Sequence, residues 1–166
     1  MATRNLGYGV LTVLLVSATL CGTLAAEDRL SGAWKFHSDS FVSPDTSWAR
    51  TSERVGLRLF ATGRYSVTIM DADRPLQANP YPDWRATDEE MLANYERILA
   101  NSGSYVIRDS SVAFHVEVAK WPNLVGQTLG LVYVVQGDTL RLWHHNPPWQ
   151  PDATYSETWV RAGEPR

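Results

Sequence analysis

Two side chains that could move a proton lie close together in the strand predicted over residues 112–121. Residues two apart on a strand share a face, so His115 and Glu117 stand side by side and can hydrogen-bond one another or a ligand. A histidine beside a carboxylate is the minimum apparatus for proton transfer near neutral pH. Alternation alone leaves open whether this face or the opposite one points inward; the opposite face carries Val112, Phe114, Val116 and Val118.

The remaining polar residues give no metal, cofactor or nucleophile signature. His144 and His145 are adjacent, and adjacent strand residues point to opposite faces, so the pair cannot easily bind one ion together. Cys21 is the only cysteine, and there is no phosphate loop, dinucleotide fingerprint or nucleophile elbow. We therefore predict no metal and no cofactor. The aspartates in or beside predicted loops are interpreted as turn residues: Asp39, Asp45, Asp71 and Asp73.

Tryptophan and tyrosine are frequent, with seven of each among 166 residues. Several of these rings fill a core in any globular chain, but others can line a pocket, where they present an apolar body with a polar tip. The candidates for the aromatic wall of such a pocket are Tyr65, Tyr133 and Trp143.

The elements that must position these residues are short extended runs separated by turn residues. The turns at residues 61–63, 109–110 and 137–138 are short and contain Gly, Asp or Ser, which is typical of hairpins. This spacing predicts a mainly β, antiparallel barrel or sandwich and not alternating βαβ units. The eight predicted strands are 30–37, 54–60, 64–71, 104–108, 112–121, 128–136, 139–145 and 155–162.

One inserted amphipathic helix breaks the strand pattern. Thr87 and Glu90 form a capping box, which marks a helix start, and the helix is expected to end at residues 101–103. Its apolar face should lie on the barrel wall or the open mouth. That face is predicted from helical spacing and comprises Met91, Leu92, Tyr95, Ile98 and Leu99.

The first 26 residues have the pattern of a secretory signal peptide. Arg4 precedes an apolar run over residues 8–20, and small residues follow, so cleavage is expected after Ala25 or Ala26. The run is shorter than the about 20 residues of a membrane span, which favours a cleaved signal over a membrane-anchoring helix. After cleavage, no stable membrane insertion is expected. A lipoprotein with its lipid on Cys21 is the alternative, although Leu20 does not fit the small residue expected there.

Residues 27–166 are expected to form one domain, secreted or periplasmic. The chain has a net charge of −3 and no run of Lys or Arg, so nucleic acid is not expected as a partner.

Several motifs of this domain resemble lipocalin-like domains, the small bacterial and fungal barrel proteins. Leu30-Ser31-Gly32-Ala33-Trp34-Lys35 resembles the Gly-x-Trp opening of lipocalins. Trp159-Val160-Arg161 resembles their closing strand, whose Arg packs against the first Trp. Further matching motifs in the same order are Gly63-Arg64-Tyr65-Ser66, Asp73-Arg74-Pro75, Thr87-Asp88-Glu89-Glu90, His115-Val116-Glu117-Val118, Pro122-Asn123 and Gly126.

The resemblance spans residues 29–162 and implies an eight-stranded antiparallel barrel with one inserted helix. It also implies that His115 and Glu117 point inward, since the motif of the group includes both. An Arg that commonly follows the Pro-Asn-x-x-Gly turn is absent, because residues 127–131 read Gln-Thr-Leu-Gly-Leu. If that Arg anchors an acidic ligand in relatives, this chain must use another anchor, such as Arg58 or Arg141.

Three hypotheses follow for function. The first is an exported protein that binds a small, largely apolar molecule in the barrel, through His115, Glu117, Tyr65, Tyr133, Trp143 and Arg58. The second is a cyclase, isomerase or dehydratase of a hydrophobic intermediate, with His115 and Glu117 as the acid/base pair. The third is a barrel with a filled core that acts as a structural or interaction module.

Overall fold

The computed structural model describes residues 29–51, 53–76 and 85–163. The signal peptide predicted over residues 1–26 lies outside the described residues. No helix in the described ranges is long and apolar enough to cross a membrane. In chain order the elements are β1 (Gly32–Val42), β2 (Ser47–Arg50), β3 (Arg54–Ala61), β4 (Arg64–Asp71), α1 (Asp88–Tyr95), β5 (Ile98–Arg108), β6 (Ser111–Ala119), a 3₁₀ turn (Pro122–Leu124), β7 (Thr128–Gln136), β8 (Thr139–His145) and β9 (Thr154–Arg161).

Strand β1 closes the sheet into a barrel. Its first four residues pair with β3, and it pairs with β9 along most of its length. All neighbouring strands are antiparallel, so β1 and β3 to β9 make the predicted eight-stranded closed barrel. Strand β2 is an extra strand paired with the second half of β1, and it falls within a stretch for which we predicted a loop.

The predicted hairpin turns are confirmed by their backbone angles. Thr62 and Gly63 join β3 to β4 with φ of 48° and 73°, and Gly137 joins β7 to β8 with φ of 56°. Two-residue turns with positive φ match the twist of the strands that they connect. These tight turns fix the register of each hairpin.

One end of the barrel is filled by side chains. Trp34 is fully buried, and its indole Nε1 donates to the Leu30 carbonyl at 2.8 Å. The guanidinium carbon of Arg161 lies 4.2 Å from the centre of the Trp34 ring, and Nη1 donates to the Ser31 carbonyl at 3.0 Å. The packing implied by the lipocalin resemblance is therefore present. The buried side chains around this plug include Phe60, Tyr105, Val112, Tyr133, Leu140, Leu142 and Trp159.

Two β-bulges switch which residues point inward. The register between β1 and β9 shifts at His37, so even-numbered residues face inward before the bulge and Asp39 faces inward after it. A second shift between β5 and β6 leaves Glu117 as an extra residue opposite Gly103. Beyond it Val118 is 64% exposed, against the prediction that it shares a face with Val112. One extra residue reverses the alternation of a strand.

The helix begins as predicted and ends earlier than predicted. Glu90 N–H donates to Thr87 Oγ1 at 3.2 Å, and Thr87 N–H donates to Glu90 Oε2 at 2.9 Å, which confirms the capping box. The helix ends at Tyr95, and Ile98 already pairs with Met70 at the start of β5. The predicted end at residues 101–103 is wrong because pairing with β4 satisfies this backbone as a strand.

The apolar side chains of α1 are not packed on the barrel. Met91, Leu92 and Tyr95 are each about half exposed or more. The Tyr95 hydroxyl donates to the Lys120 carbonyl at 3.2 Å, which ties the end of the helix to the chain just after β6. The helix therefore connects β4 to β5 at the open end without an extensive apolar contact.

The bulge opposite Gly103 leaves no room for a side chain at position 103, and this can be tested. A Cβ at position 103 would lie 2.0 Å from the His115 carbonyl oxygen, so we expect Gly103→Ala to cost roughly 1–3 kcal/mol of unfolding free energy. Gly130→Ala is the matched control in β7, since a Cβ there meets nothing within 4 Å. Urea unfolding of both variants measures the difference. Equal stability of the two would show that the bulge does not require glycine.

Candidate functional site

A cavity of about 850 Å³ opens at the end of the barrel opposite Trp34. Its walls come from the strand ends that meet there, among them Arg54 at the start of β3, Leu99 in β5, His144 at the end of β8 and Tyr155 in β9. The filled-core hypothesis is therefore wrong for this half of the barrel. Cavities of this volume are typical of small-molecule sites.

The cavity has apolar walls and an aromatic mouth. The apolar wall side chains include Val67, Leu99, Phe114, Leu129 and Leu131. Three tryptophans line the mouth and remain 38–59% exposed: Trp48 in β2, Trp121 after β6 and Trp149 after β8. Sequence reasoning missed all three, because Trp48 and Trp149 fall in predicted loops and Trp121 at the end of a predicted strand.

A buried ion pair lies on the cavity wall. Arg58 Nη2 donates to Glu157 Oε2 at 2.6 Å, and both side chains are less than 10% exposed. The same carboxylate oxygen accepts from Trp159 Nε1 at 3.0 Å. The Arg58 guanidinium carbon lies 4.7 Å from the centre of the Trp159 ring and 5.5 Å from that of Phe114. The hydrogen bond to Glu157 and the two nearby rings thus hold this guanidinium in one orientation.

A second charged cluster is centred on Asp39, whose side chain is fully buried. Its oxygens accept from Arg50 at 2.7 and 3.1 Å, from Arg54 Nη1 at 3.0 Å and from the Tyr155 hydroxyl at 3.0 Å. Burial, reinforced by Glu157, raises the pKa of Tyr155, so its hydroxyl stays protonated and donates. The interpretation of Asp39 as a turn residue is wrong, because the bulge at His37 turns it inward.

The Asp39 cluster lies where β1 and β3 have separated. Backbone pairing between these strands covers only Gly32–Lys35 on β1. Further along, Arg54 of β3 bonds to Asp39 of β1, and Arg54 Nε lies 3.4 Å from Asp71 Oδ1 at the end of β4. Asp71, also interpreted as a turn residue, is therefore part of this cluster. Side-chain ion pairs continue the connection that the backbone no longer makes.

Tyr65 and Arg58, both predicted to bind ligand, lie on the cavity wall. The Tyr65 hydroxyl donates to Asn101 Oδ1 at 2.8 Å. Burial raises the pKa of Tyr65 to about 12, and the nearby Arg58 charge opposes that rise. The hydroxyl is therefore neutral and able to donate a hydrogen bond across the physiological range.

His115 and Glu117 lie on the outer face of the barrel, so the expectation that they point inward is wrong. Val112, Phe114 and Val116 are buried, and alternation then turns His115 outward, while the bulge exposes Glu117. The two predicted site residues do not line the cavity. As an acid/base pair they are out of reach of a substrate held there.

On the outer face His115 and Glu117 have separate partners. Glu117 accepts from both Nη atoms of Arg64, at 2.6 and 2.7 Å, and this bonding lowers the pKa of the Glu117 carboxyl. His115 Nδ1 lies 3.4 Å from Thr128 Oγ1. These contacts are those of a cross-strand surface network.

The other predicted wall residues also lie away from the cavity. Tyr133 is buried at the filled end, where its hydroxyl donates to the Asp109 carbonyl at 3.3 Å. Trp143 faces outward, because its neighbours Leu142 and His144 are the inward residues of β8. Arg141, the alternative anchor, is exposed on the same outer face.

His144 is a cavity residue that sequence reasoning did not select. It is 7% exposed, and its ring meets the edge of Trp149 with 5.0 Å between centres. Burial lowers the pKa of His144, and the charge of His145 on the other face adds to this effect. The available signal for its inward orientation was the alternation with Leu142 and Leu140, two and four residues earlier.

Within the described ranges, no group of three or more His, Cys, Asp or Glu is placed to hold a metal ion.

Because Arg58 and Glu157 form a buried ion pair, we expect strong coupling between substitutions of the two residues in the free energy of unfolding. Arg58→Met leaves the Glu157 carboxylate buried without its cation and should cost about 3–5 kcal/mol of unfolding free energy. The double variant Arg58→Met/Glu157→Gln should recover much of this loss, because Gln is neutral and still accepts from Trp159. Urea unfolding of the double-mutant cycle gives the coupling energy. The exposed pair Arg64 and Glu117 is the control, with little coupling expected; additive costs at Arg58 and Glu157 would contradict the prediction.

The lowered pKa of His144 predicts that the folded protein loses stability in mild acid. Its folded pKa is below the ordinary value of about 6.5, so the unfolded chain takes up the proton first as the pH falls. Stability should therefore fall from about pH 6.5 down through the lowered pKa, by up to about 1.4 kcal/mol per pH unit. His144→Gln should flatten this slope in unfolding measurements across the window, and His37→Gln, at an exposed position, should not. A slope unchanged in His144→Gln would rule out His144 as its source.

The comparison with family models agrees with the observed architecture. A family model for the lipocalin-like domain matches residues 31–161. Among solved structures, the chain is similar to a lipocalin-like protein from Bacteroides uniformis, at 12% identity and a TM-score of 0.44, over 81% of this chain and 99% of that one. No curated protein matches significantly. Since the family match spans most of the sequence, the chain belongs to the lipocalin-like domain family.

Proposed function

We propose that this protein binds a small, largely apolar molecule in the open half of its barrel. The observation that carries the proposal is the cavity of about 850 Å³ with walls of Val, Leu and Phe side chains. Burial of apolar ligand surface against such walls is favourable by roughly 25 cal/mol per Å². The lipocalin-like fold is compatible with this use but does not by itself specify it.

The two halves of the barrel differ in a way that supports binding. Trp34, Phe60 and Trp159 are among the core side chains of one half, with exposures of 2% or less. The other half opens between Trp48, Trp121 and Trp149, which come from three separate segments. Tryptophan provides a large apolar contact at small cost in side-chain entropy, as expected at the mouth of an apolar site.

We also propose that binding takes place outside the cytoplasm. The support is the signal-peptide pattern of residues 1–26, with Arg4, the apolar run and the small residues before Glu27. In that case the ligand would be met in the periplasm or the extracellular space.

Blocking the cavity tests the binding proposal. N-phenylnaphthylamine is an uncharged apolar dye whose fluorescence rises in apolar surroundings. It should bind the wild-type protein with one site, and Leu131→Trp should abolish or strongly weaken binding because Leu131 lines the cavity. Val132→Trp is the matched control, since Val132 is the next residue of β7 and lies on the outer face, 37% exposed.

Fluorescence titration of the three proteins, with circular dichroism to verify folding, gives the comparison. Equal binding by Leu131→Trp and Val132→Trp would place the dye elsewhere on the protein. No binding by the wild type would remove the support for an apolar ligand.

A further inference from the structure

We propose that the ligand carries one anionic group, a carboxylate at the end of an apolar body, and that Arg58 binds this group. The inference rests on the proposed function, because it specifies the chemistry of a ligand held in the same cavity. Its basis is the donor capacity, orientation and electrostatic surroundings of Arg58.

Arg58 has hydrogen-bond donors to spare. A guanidinium carries five N–H donors, and Glu157 accepts from Nη2. Nε is buried and has no hydrogen-bond partner among the described residues. Buried donors without partners are rare in folded proteins. Because Nε is buried, an acceptor that enters from the cavity would bond to the Nη hydrogens that Glu157 does not use.

The guanidinium is already oriented for such an acceptor. Its side chain is 5% exposed, it bonds to Glu157, and its guanidinium lies near the rings of Trp159 and Phe114. A planar guanidinium presents paired donors that match the two oxygens of a carboxylate. Because the orientation is fixed before binding, little side-chain entropy remains to be lost.

The charges on the wall favour an anion. Among the described lining residues, Arg50, Arg54 and Arg58 are cationic, and Glu157 is the anionic member. The carboxylate of Asp39, which neutralises part of this charge, is not on the wall and is fully buried behind Arg50 and Arg54. A ligand therefore meets Arg50 and Arg54 before it meets Asp39, whereas Arg58 shares the wall with its partner Glu157.

The apolar part of the wall determines the chemistry that suits the rest of the ligand. Val67, Leu99, Leu129 and Leu131 offer no hydrogen bonds from their side chains and suit an aliphatic or aromatic body. The Tyr65 hydroxyl, neutral because its pKa is raised to about 12, adds a polar group without negative charge. The ligand class that fits both parts is an amphipathic monocarboxylic acid.

The test compares two probes that differ only at the head group, decanoate and decanol, by displacement of N-phenylnaphthylamine near neutral pH. Wild-type protein should bind decanoate at least about tenfold more tightly than decanol. In Arg58→Met/Glu157→Gln, which removes one charge of each sign, the ratio of the two affinities should fall close to one while decanol binding is retained. In Arg141→Met, a change at an exposed position on the outer face, the ratio should stay at the wild-type value.

A third variant removes the carboxylate to which Arg58 now donates. Glu157→Gln removes the carboxylate that competes for Arg58, so the preference for decanoate should exceed that of the wild type. Equal affinity of the wild type for decanoate and decanol would overturn the inference and leave the proposed function standing. A preference that survives in Arg58→Met/Glu157→Gln would also overturn it. Failure of the wild type to bind the dye or either probe would overturn the proposed function itself.

Discussion

A charge can remain inside a barrel of this width only if it is paired there, and this condition governs the interior of the molecule. Glu157 meets Arg58, and Asp39 meets Arg50 and Arg54, each at hydrogen-bond distance. Buried ion pairs add little net stability over apolar side chains of similar size. Arg58 and Glu157 lie on the cavity wall beside the filled half, whereas the Asp39 cluster lies toward the strand ends of the open half. On one side of the Arg58–Glu157 pair the barrel is solid, and on the other it is open.

The Asp39 cluster exists because the inward and outward alternation of β1 is interrupted. The bulge at His37 brings Asp39 and Phe41 to the inside of β1, where a regular strand would turn them to solvent. The same strand leaves β3 after Lys35, so the wall at this point is made by side-chain ion pairs in place of a backbone ladder. Departures from ideal geometry thus bring Asp39 into the interior and make part of the cavity wall from side chains.

The parts of the fold and of the site that could be predicted are those that depend on local sequence patterns. Most strand positions and the hairpin turns were predictable, because alternation and Gly or Asp at the turns report local backbone preference; β2 and the start of β5 were not. The lipocalin-like motifs at Trp34 and Arg161 correctly implied closure. A bulge leaves no mark in the alternation until the strand is paired, so the inward position of Asp39 and the exposure of Val118 were not predictable. The orientation of His115 and Glu117 was left open by alternation, and the resemblance pointed the wrong way.

The closure of the ring has a consequence for how the chain acquires its structure. Trp34 on β1 pairs with Arg161 on β9, so the two strands that seal the barrel are the first and last of the described chain. Contacts so distant in sequence slow folding, because a long loop must be ordered before they form. Until they form, β1 and β9 each present an unpaired edge that could join another chain. During synthesis the barrel cannot close before β9 has left the ribosome, so nearly the whole protein must wait as an open sheet for its final strand.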